Sequence, residues 1–375
     1  MKKIIAIIGA VATLAALCLP AFAASSFEEQ VLSKVTDLYA DYYDISDAMA
    51  NIVSSTENED GSITYVVDIS FKRTLKETSA YDMPYIQGLQ EAASQLTDPA
   101  KIAAAEKRIE IWVAELENNY IGIAQDTNVT ISMTIPHAAS ARSTYTVAAT
   151  DMQAYDDLLD EEFPLESIRP KSDEESRAEG QATIDELAVA GTTVYQTEST
   201  QKSDLLPIQK YNRVVARNYA RNWSCDTGKL NDHESCHNPS YSFENGQDCA
   251  NFVSQCLKEG GLCPDDTWYP DQTNGKSTAW YTTGNIYYGI RDYVVDKAYF
   301  FHSTSDYDAF AGSIINLLNS DGSNEGHVGL VDQNDTRTMT FCAHSKCRRS
   351  KTFSWFSHRD FYVPCWDSES NSWTQ

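Results

Sequence analysis

Apolar positions change their period several times along the first 150 residues. Phe27, Val31, Leu32, Val35, Leu38 and Tyr39 recur at three- and four-residue spacing, which predicts an amphipathic helix within 27–53. An Asn58-Glu59-Asp60-Gly61 turn follows. Ile63, Tyr65, Val67, Ile69 and Phe71 then alternate with Thr64, Asp68, Ser70 and Lys72, the period of a half-buried strand. Helical spacing returns near 83–96 and 99–119. Val129, Ile131, Met133 and Ile135 alternate again, as do Tyr145 and Val147. Strands with one apolar face need a covering layer, so 25–150 is expected to be a separate α+β domain of helices on a twisted antiparallel sheet, cystatin-like or NTF2-like.

Residues 151–203 break the pattern. Asp156, Asp157, Asp160, Glu161, Glu162, Asp173, Glu174 and Glu175 crowd a stretch with few apolar anchors, which reads as a solvated acidic linker. It lacks the spaced loop and central glycine of an EF-hand. From 204 to 375 Trp, Tyr, Cys and Gly become common. Tyr211, Val214, Val215, Asn218, Tyr219 and Trp223 are placed on one helix. Ser313–Leu318, His327–Asp332 and Thr338–His344 are placed on three successive strands, with a turn at 321–326.

The chemistry is concentrated in this last region. In Asn245-Gly-Gln-Asp-Cys249-Ala-Asn-Phe-Val-Ser-Gln-Cys-Leu-Lys-Glu-Gly-Gly261, Ala250, Phe252, Val253, Cys256 and Leu257 fall at helical spacing, and the paired glycines mark the end. Cys249 therefore occupies the first turn. Unpaired N–H groups and the helix dipole there favour a thiolate and offer donors to an oxyanion. Cys256, two turns on, reads as core. His327 opens the strand after the turn, and the next strand is expected to bring His344 beside it to fix its tautomer. Asp332 and Asn334 are rivals for that third position.

Composition narrows the options. With a formal charge of −25 over 375 residues, the chain would be repelled by nucleic acid unless a local basic patch intervened. The candidate patch, Lys346, Arg348, Arg349 and Lys351, reads as a solvated turn. Lys2 and Lys3, the apolar run Ile4–Leu19 and Ala21-Phe22-Ala23 have the form of a signal peptide over 1–23, cleaved after Ala23 or Ala24. Leu17 before Cys18 argues against lipoprotein processing. The expectation is a secreted or cell-wall-associated protein without stable membrane insertion.

Eight cysteines follow residue 220. Exported context and irregular spacing favour a Cys225–Cys236 disulfide over zinc bound by Cys225, His233, Cys236 and His237, or by Cys342, His344 and Cys347. No metal or cofactor is required by the cysteine chemistry itself.

Tyr211–Trp223, the string Asp248-Cys-Ala-Asn-Phe-Val-Ser-Gln255, Trp268 and Thr278-Ala-Trp280 together resemble the putative amidase domain family, a branch of papain-like enzymes related to NlpC-type and CHAP cell-wall hydrolases. The resemblance covers about 205–365. It implies a papain-like/NlpC-like α+β domain, with a Cys-bearing helix packed on an antiparallel sheet that carries the His. It also implies Cys249 as nucleophile, His327 as base, His344 as third polar residue, and Asp248 and Trp280 as substrate contacts. The expected activity is hydrolysis of an amide, with peptidoglycan the expected substrate and partner. Gly312-Ser313 stands where NlpC-type domains carry Gly-Asp. The competing readings are a non-catalytic wall-binding module, with the aromatics of 267–300 lining a groove, and a zinc-stabilised exported domain.

Overall fold

Ser26 and Glu29 bond reciprocally, side chain to backbone, and this capping box starts α1 (Phe27–Asp37), which buries Phe27, Val31 and Val35. The computed structural model describes residues 26–136, 145–156, 158–190, 211–225, 236–243, 246–270, 276–284, 287–318 and 327–365. The proposed signal segment lies outside them. The helix stops well short of residue 53, because Tyr43–Glu57 forms strand β1. That strand pairs antiparallel with β2 (Ile63–Leu75), from Tyr43 opposite Leu75 to Glu57 opposite Ile63. The connecting turn is the expected one, with Gly61 at positive φ and its N–H bonded to the Asn58 carbonyl.

Helices α2 (Pro84–Ala93) and α3 (Pro99–Asn119) begin on prolines that need no hydrogen bond there, and β3 (Gln125–Ile135) then pairs with β2. Tyr145 and Val147 form no strand. The acidic stretch is not a linker as far as residue 190. It contains β4 (Met152–Asp156), β5 (Glu161–Pro164) and α4 (Asp173–Ala190). Its apolar residues Met152, Ala154, Leu158, Leu165, Ile168 and Ile184 are buried, and Leu159 and Phe163 pack half-buried against the same core. Three of its carboxylates pair with cations: Asp173 with Arg337, Glu175 with Arg169 and Glu179 with Lys171. Residues 191–203 lie outside the described set.

The C-terminal region supplies α5 (Arg213–Asn222), α6 (Cys249–Glu259), α7 (Thr278–Tyr281), α8 (Ile290–Asp296), β6 (Phe300–Ser303), β7 (Ile314–Leu317), β8 (Val328–Asn334), β9 (Met339–Ala343), β10 (Arg348–Thr352) and β11 (Arg359–Pro364). Among the described residues all eleven strands join one sheet, ordered β1-β2-β3-β10-β9-β8-β7-β11-β6, with β4 and β5 branching from β3. The join is a short parallel pairing of β10 with β3, Lys351 opposite Asn128.

Two cores lie on opposite faces of β7–β9. Ile314, Val328, Leu330 and Cys342 pack under α5–α8, whereas Ile315, Leu317, Val331, Phe341 and Ala343 belong to the core built by residues 27–184. These strands are therefore buried throughout. The N-terminal α+β region is consequently not a separate domain: it shares sheet and core with the rest. Arg73–Asp335 (2.8 Å), Arg108–Asp308 (3.0 Å) and Arg213–Glu115 (2.9 Å) are ion pairs across the same boundary. The basic turn is corrected too. Arg348 and Lys351 are buried in β10, and Lys351 bonds Thr130 of β3.

Candidate active site

Helix α6 begins at Cys249 and ends at Gly260 and Gly261, the latter at φ 106°. Asp248 is its N-cap by position but makes no side-chain cap bond. That service comes from Ser345, whose Oγ accepts the N–H groups of Asp248 (2.9 Å) and Cys249 (3.1 Å). The Cys249 N–H expected to hold an oxyanion is thus already engaged. Ser345 sits at φ 80° in the turn after β9, and nothing in its local sequence singles it out.

The thiol of Cys249 lies against the start of β8. Burial pushes it above its ordinary range, while the Val328 N–H, the Ser345 hydroxyl and the Ala250 N–H pull it back and the Asp248 charge adds to the rise. Burial is the largest of these influences and outweighs the helix terminus. Val328 directly follows His327, whose carbonyl accepts the Leu317 N–H (2.8 Å) and anchors the strand mouth to β7. The two residues singled out from sequence are therefore brought to one corner.

His344 goes elsewhere. Leu330 pairs with Cys342 across β8–β9. Continuing that register sets Val328, not His327, opposite His344, and a one-residue offset turns a side chain to the other face. Nδ1 of His344 meets Asp248 Oδ2 at 2.8 Å and Nε2 meets the Trp223 carbonyl at 2.5 Å, so neither nitrogen is left to orient His327. Its rivals are also committed. Asp332 bonds Arg221, Gln333 and Ser350, and Asn334 bonds the carbonyls of Asp306 and Ala309.

The expected substrate contacts are framework residues. Asp248 and Trp280 are both 0% exposed. Asp248 accepts from Asn251 (2.7 Å) and lies 3.3 Å from His237 Nδ1. Burial alone would raise its carboxyl, but the contacts with His237, His344 and Asn251 prevail and hold it below the usual range. Trp280 donates its indole N–H to Asn251 Oδ1 (2.7 Å), Trp268 donates to Ser254 Oγ (3.0 Å), and Gln255 accepts from Tyr219 (2.7 Å). The polar residues of the Asp248–Gln255 string are thus mostly buried hydrogen-bonding partners that fix the helix, while Cys249 alone in the string is half-buried.

Cys225 and Cys236 form the expected disulfide, and the Cys225 N–H donates to Cys347 Sγ at 3.0 Å. Cys342, His344 and Cys347 do not form a joint metal site: buried Cys342 is bonded to Ser224, His344 turns to Asp248, and Cys347 turns to the disulfide. His233 lies outside the described residues.

This combination, a helix-start cysteine packed on a strand mouth that opens with histidine, fits an α+β hydrolase. Residues 210–363 match the model of the family described as Putative amidase domain. That match supports an amide as the substrate class at the family level. No curated protein and no solved structure matched the chain. Among the described residues no helix is long and apolar enough to cross a membrane.

Proposed function

We propose that the protein is an exported cysteine amide hydrolase acting on peptidoglycan peptide or amide bonds through a papain-like arrangement, with Cys249 as nucleophile and His327 as base. The observation that carries this reading is the contact of the Cys249 thiol with the Val328 N–H, one residue from His327. The leader-like first 23 residues support export.

In the reaction His327 takes the thiol proton and Cys249 sulfur attacks the amide carbonyl carbon. The C–N bond then breaks as His327 returns the proton to the leaving nitrogen. Water, deprotonated by His327, adds to the thioester, and the C–S bond breaks to regenerate the thiol. A raised thiol makes the base indispensable. His344 and Asp248 act in this scheme as positioning residues at the foot of α6.

One observation favours the alternative of an inactive hydrolase fold that only binds wall fragments: the Cys249 N–H is capped and its thiol is pushed up. Turnover of peptidoglycan fragments and alkylation of Cys249 by iodoacetamide separate the two. Cys249→Ala is expected to reduce turnover by at least about 1000-fold with an unchanged fold, and His327→Ala by at least about 100-fold. Labelling of Cys249 should rise with pH, with a midpoint above that of an ordinary cysteine, because burial stabilises the thiol. Full turnover in Cys249→Ala would sink the cysteine mechanism; binding without turnover would establish the inactive module.

A further inference from the structure

Behind the nucleophile, three buried side chains converge from separate segments: His237 from the stretch after the disulfide, Asp248 from the foot of α6, and His344 from the end of β9. Their nitrogen and oxygen donors lie within 4.8 Å of one another. Asp248 Oδ2 is 2.8 Å from His344 Nδ1 and 3.3 Å from His237 Nδ1, and the three residues are 0%, 1% and 8% exposed.

Hydrogen-bond valence makes this cluster incomplete as it stands. The Trp223 carbonyl only accepts, so the proton of a neutral His344 belongs on Nε2. Nδ1 then presents a lone pair to an ionised carboxylate oxygen, which also only accepts. Two lone pairs at 2.8 Å in a buried setting repel unless a cation lies between them or the ring takes a second proton. His237 turns Nδ1 to the same oxygen at 3.3 Å, and its Nε2 is buried with no hydrogen-bond partner.

We propose that His237, Asp248 and His344 form a binding site for a divalent transition metal of the zinc class. Two imidazoles and one carboxylate are borderline nitrogen and oxygen ligands, and three protein donors leave one coordination position for a further ligand. Donors bound to tetrahedral zinc at about 2.0–2.1 Å sit roughly 3.3 Å apart; His237 and Asp248 match this at 3.3 Å, and His344 stands closer to Asp248 at 2.8 Å. The outer atoms are also held as metal ligands usually are. His344 turns Nε2 to the Trp223 carbonyl, and Asp248 turns Oδ1 to the Asn251 amide at 2.7 Å. A second proton on the His344 ring is the competing account of its 2.8 Å contact with Asp248, and stoichiometric metal uptake separates the two. The Cys225–Cys236 bond ties the residue before His237 to the segment that follows Trp223. This assignment stands independently of the amidase reading.

The full chain, stripped with a chelator, is titrated with Zn2+ in competition with a colorimetric chelator, and with Co2+ for its visible spectrum. One equivalent should bind, with a cobalt spectrum free of thiolate charge-transfer bands. His344→Ala and Asp248→Asn should each weaken zinc at least about 100-fold, Asn251→Ala about 10- to 100-fold, and Cys347→Ala little. Absence of stoichiometric uptake by the wild-type chain overturns the site, and this result does not depend on any variant folding. A thiolate band, or affinity lost in Cys347→Ala and kept in His344→Ala, would move the metal to the sulfur cluster and equally overturn it.

Discussion

Lys351 shows how far a residue's surroundings can depart from its sequence context. Four cations within six positions read as a wet turn, yet Lys351 is buried at the β3–β10 join, and burial, helped by the neighbouring Arg348, lowers its ammonium to about 8. Asp68 and Asp156 oppose that shift from β2 and β4. The consequence for stability has a definite sign. Between pH 8 and 10.5 the unfolded chain holds a proton that the folded chain has released, so this group's contribution rises with pH across that window. Below about pH 8 both states are protonated, and burying the charge costs up to about 3 kcal/mol relative to alkaline solution. Lys351→Met should therefore be the more stable form at pH 7, with the advantage shrinking towards pH 10. Urea denaturation at the two pH values measures it; an advantage independent of pH would mean that the ammonium is solvated.

Among the elements, the contact of α2 with α4 depends on two glycines. A Cβ on Gly88 would stand 2.1 Å from the Arg177 carbonyl oxygen, and one on Gly180 would stand 2.1 Å from the Tyr85 carbonyl oxygen, so the backbones approach reciprocally. In an exposed helix interior glycine to alanine stabilises by about 1 kcal/mol. Here Gly88→Ala and Gly180→Ala should instead destabilise by about 1–3 kcal/mol through overpacking. The opposite signs make thermal or chemical melts decisive. The β8–β9 pairing is a second element-scale lesson. Three strands were legible from their apolar runs, but the offset that sends His344 to Asp248 and sets Ser345 across from His327 is a matter of register, and sequence alone leaves register open by one residue.

For the whole molecule, burial of β7–β9 on both faces makes the N-terminal region part of the catalytic region's core. The fragment 204–375 would expose Ile315, Leu317, Val331 and Phe341, leave β10 an unpaired edge, and strand the buried Asp335 without Arg73. It should therefore fail to give a cooperative unfolding transition, although it contains the entire matched family region. A fragment that melts cooperatively would restore the two-domain view. In the full chain Arg73→Ala should cost about 3–5 kcal/mol by isolating a buried charge, read from the denaturation midpoint.

The sequence by itself determined what depends on local pattern. It settled the helix that starts at Cys249 and its glycine end, the alternating strands β2 and β3, the proline-led helices α2 and α3, and the apolar runs that became β7–β9. It also singled out Cys249 and His327 as the candidate thiol and base, because a helix start and a strand mouth are both legible locally. Tertiary structure decided everything that rests on which surfaces meet. It converted the acidic stretch into two strands and a helix by burying a handful of apolar anchors, and it fused two expected domains into one sheet through the β3–β10 join. It also took Asp248, Trp280 and His344 from the expected substrate and base contacts into the framework beneath α6. Periodicity records which face of an element is apolar; it does not record what that face is packed against, and the roles of buried polar groups follow from the partner.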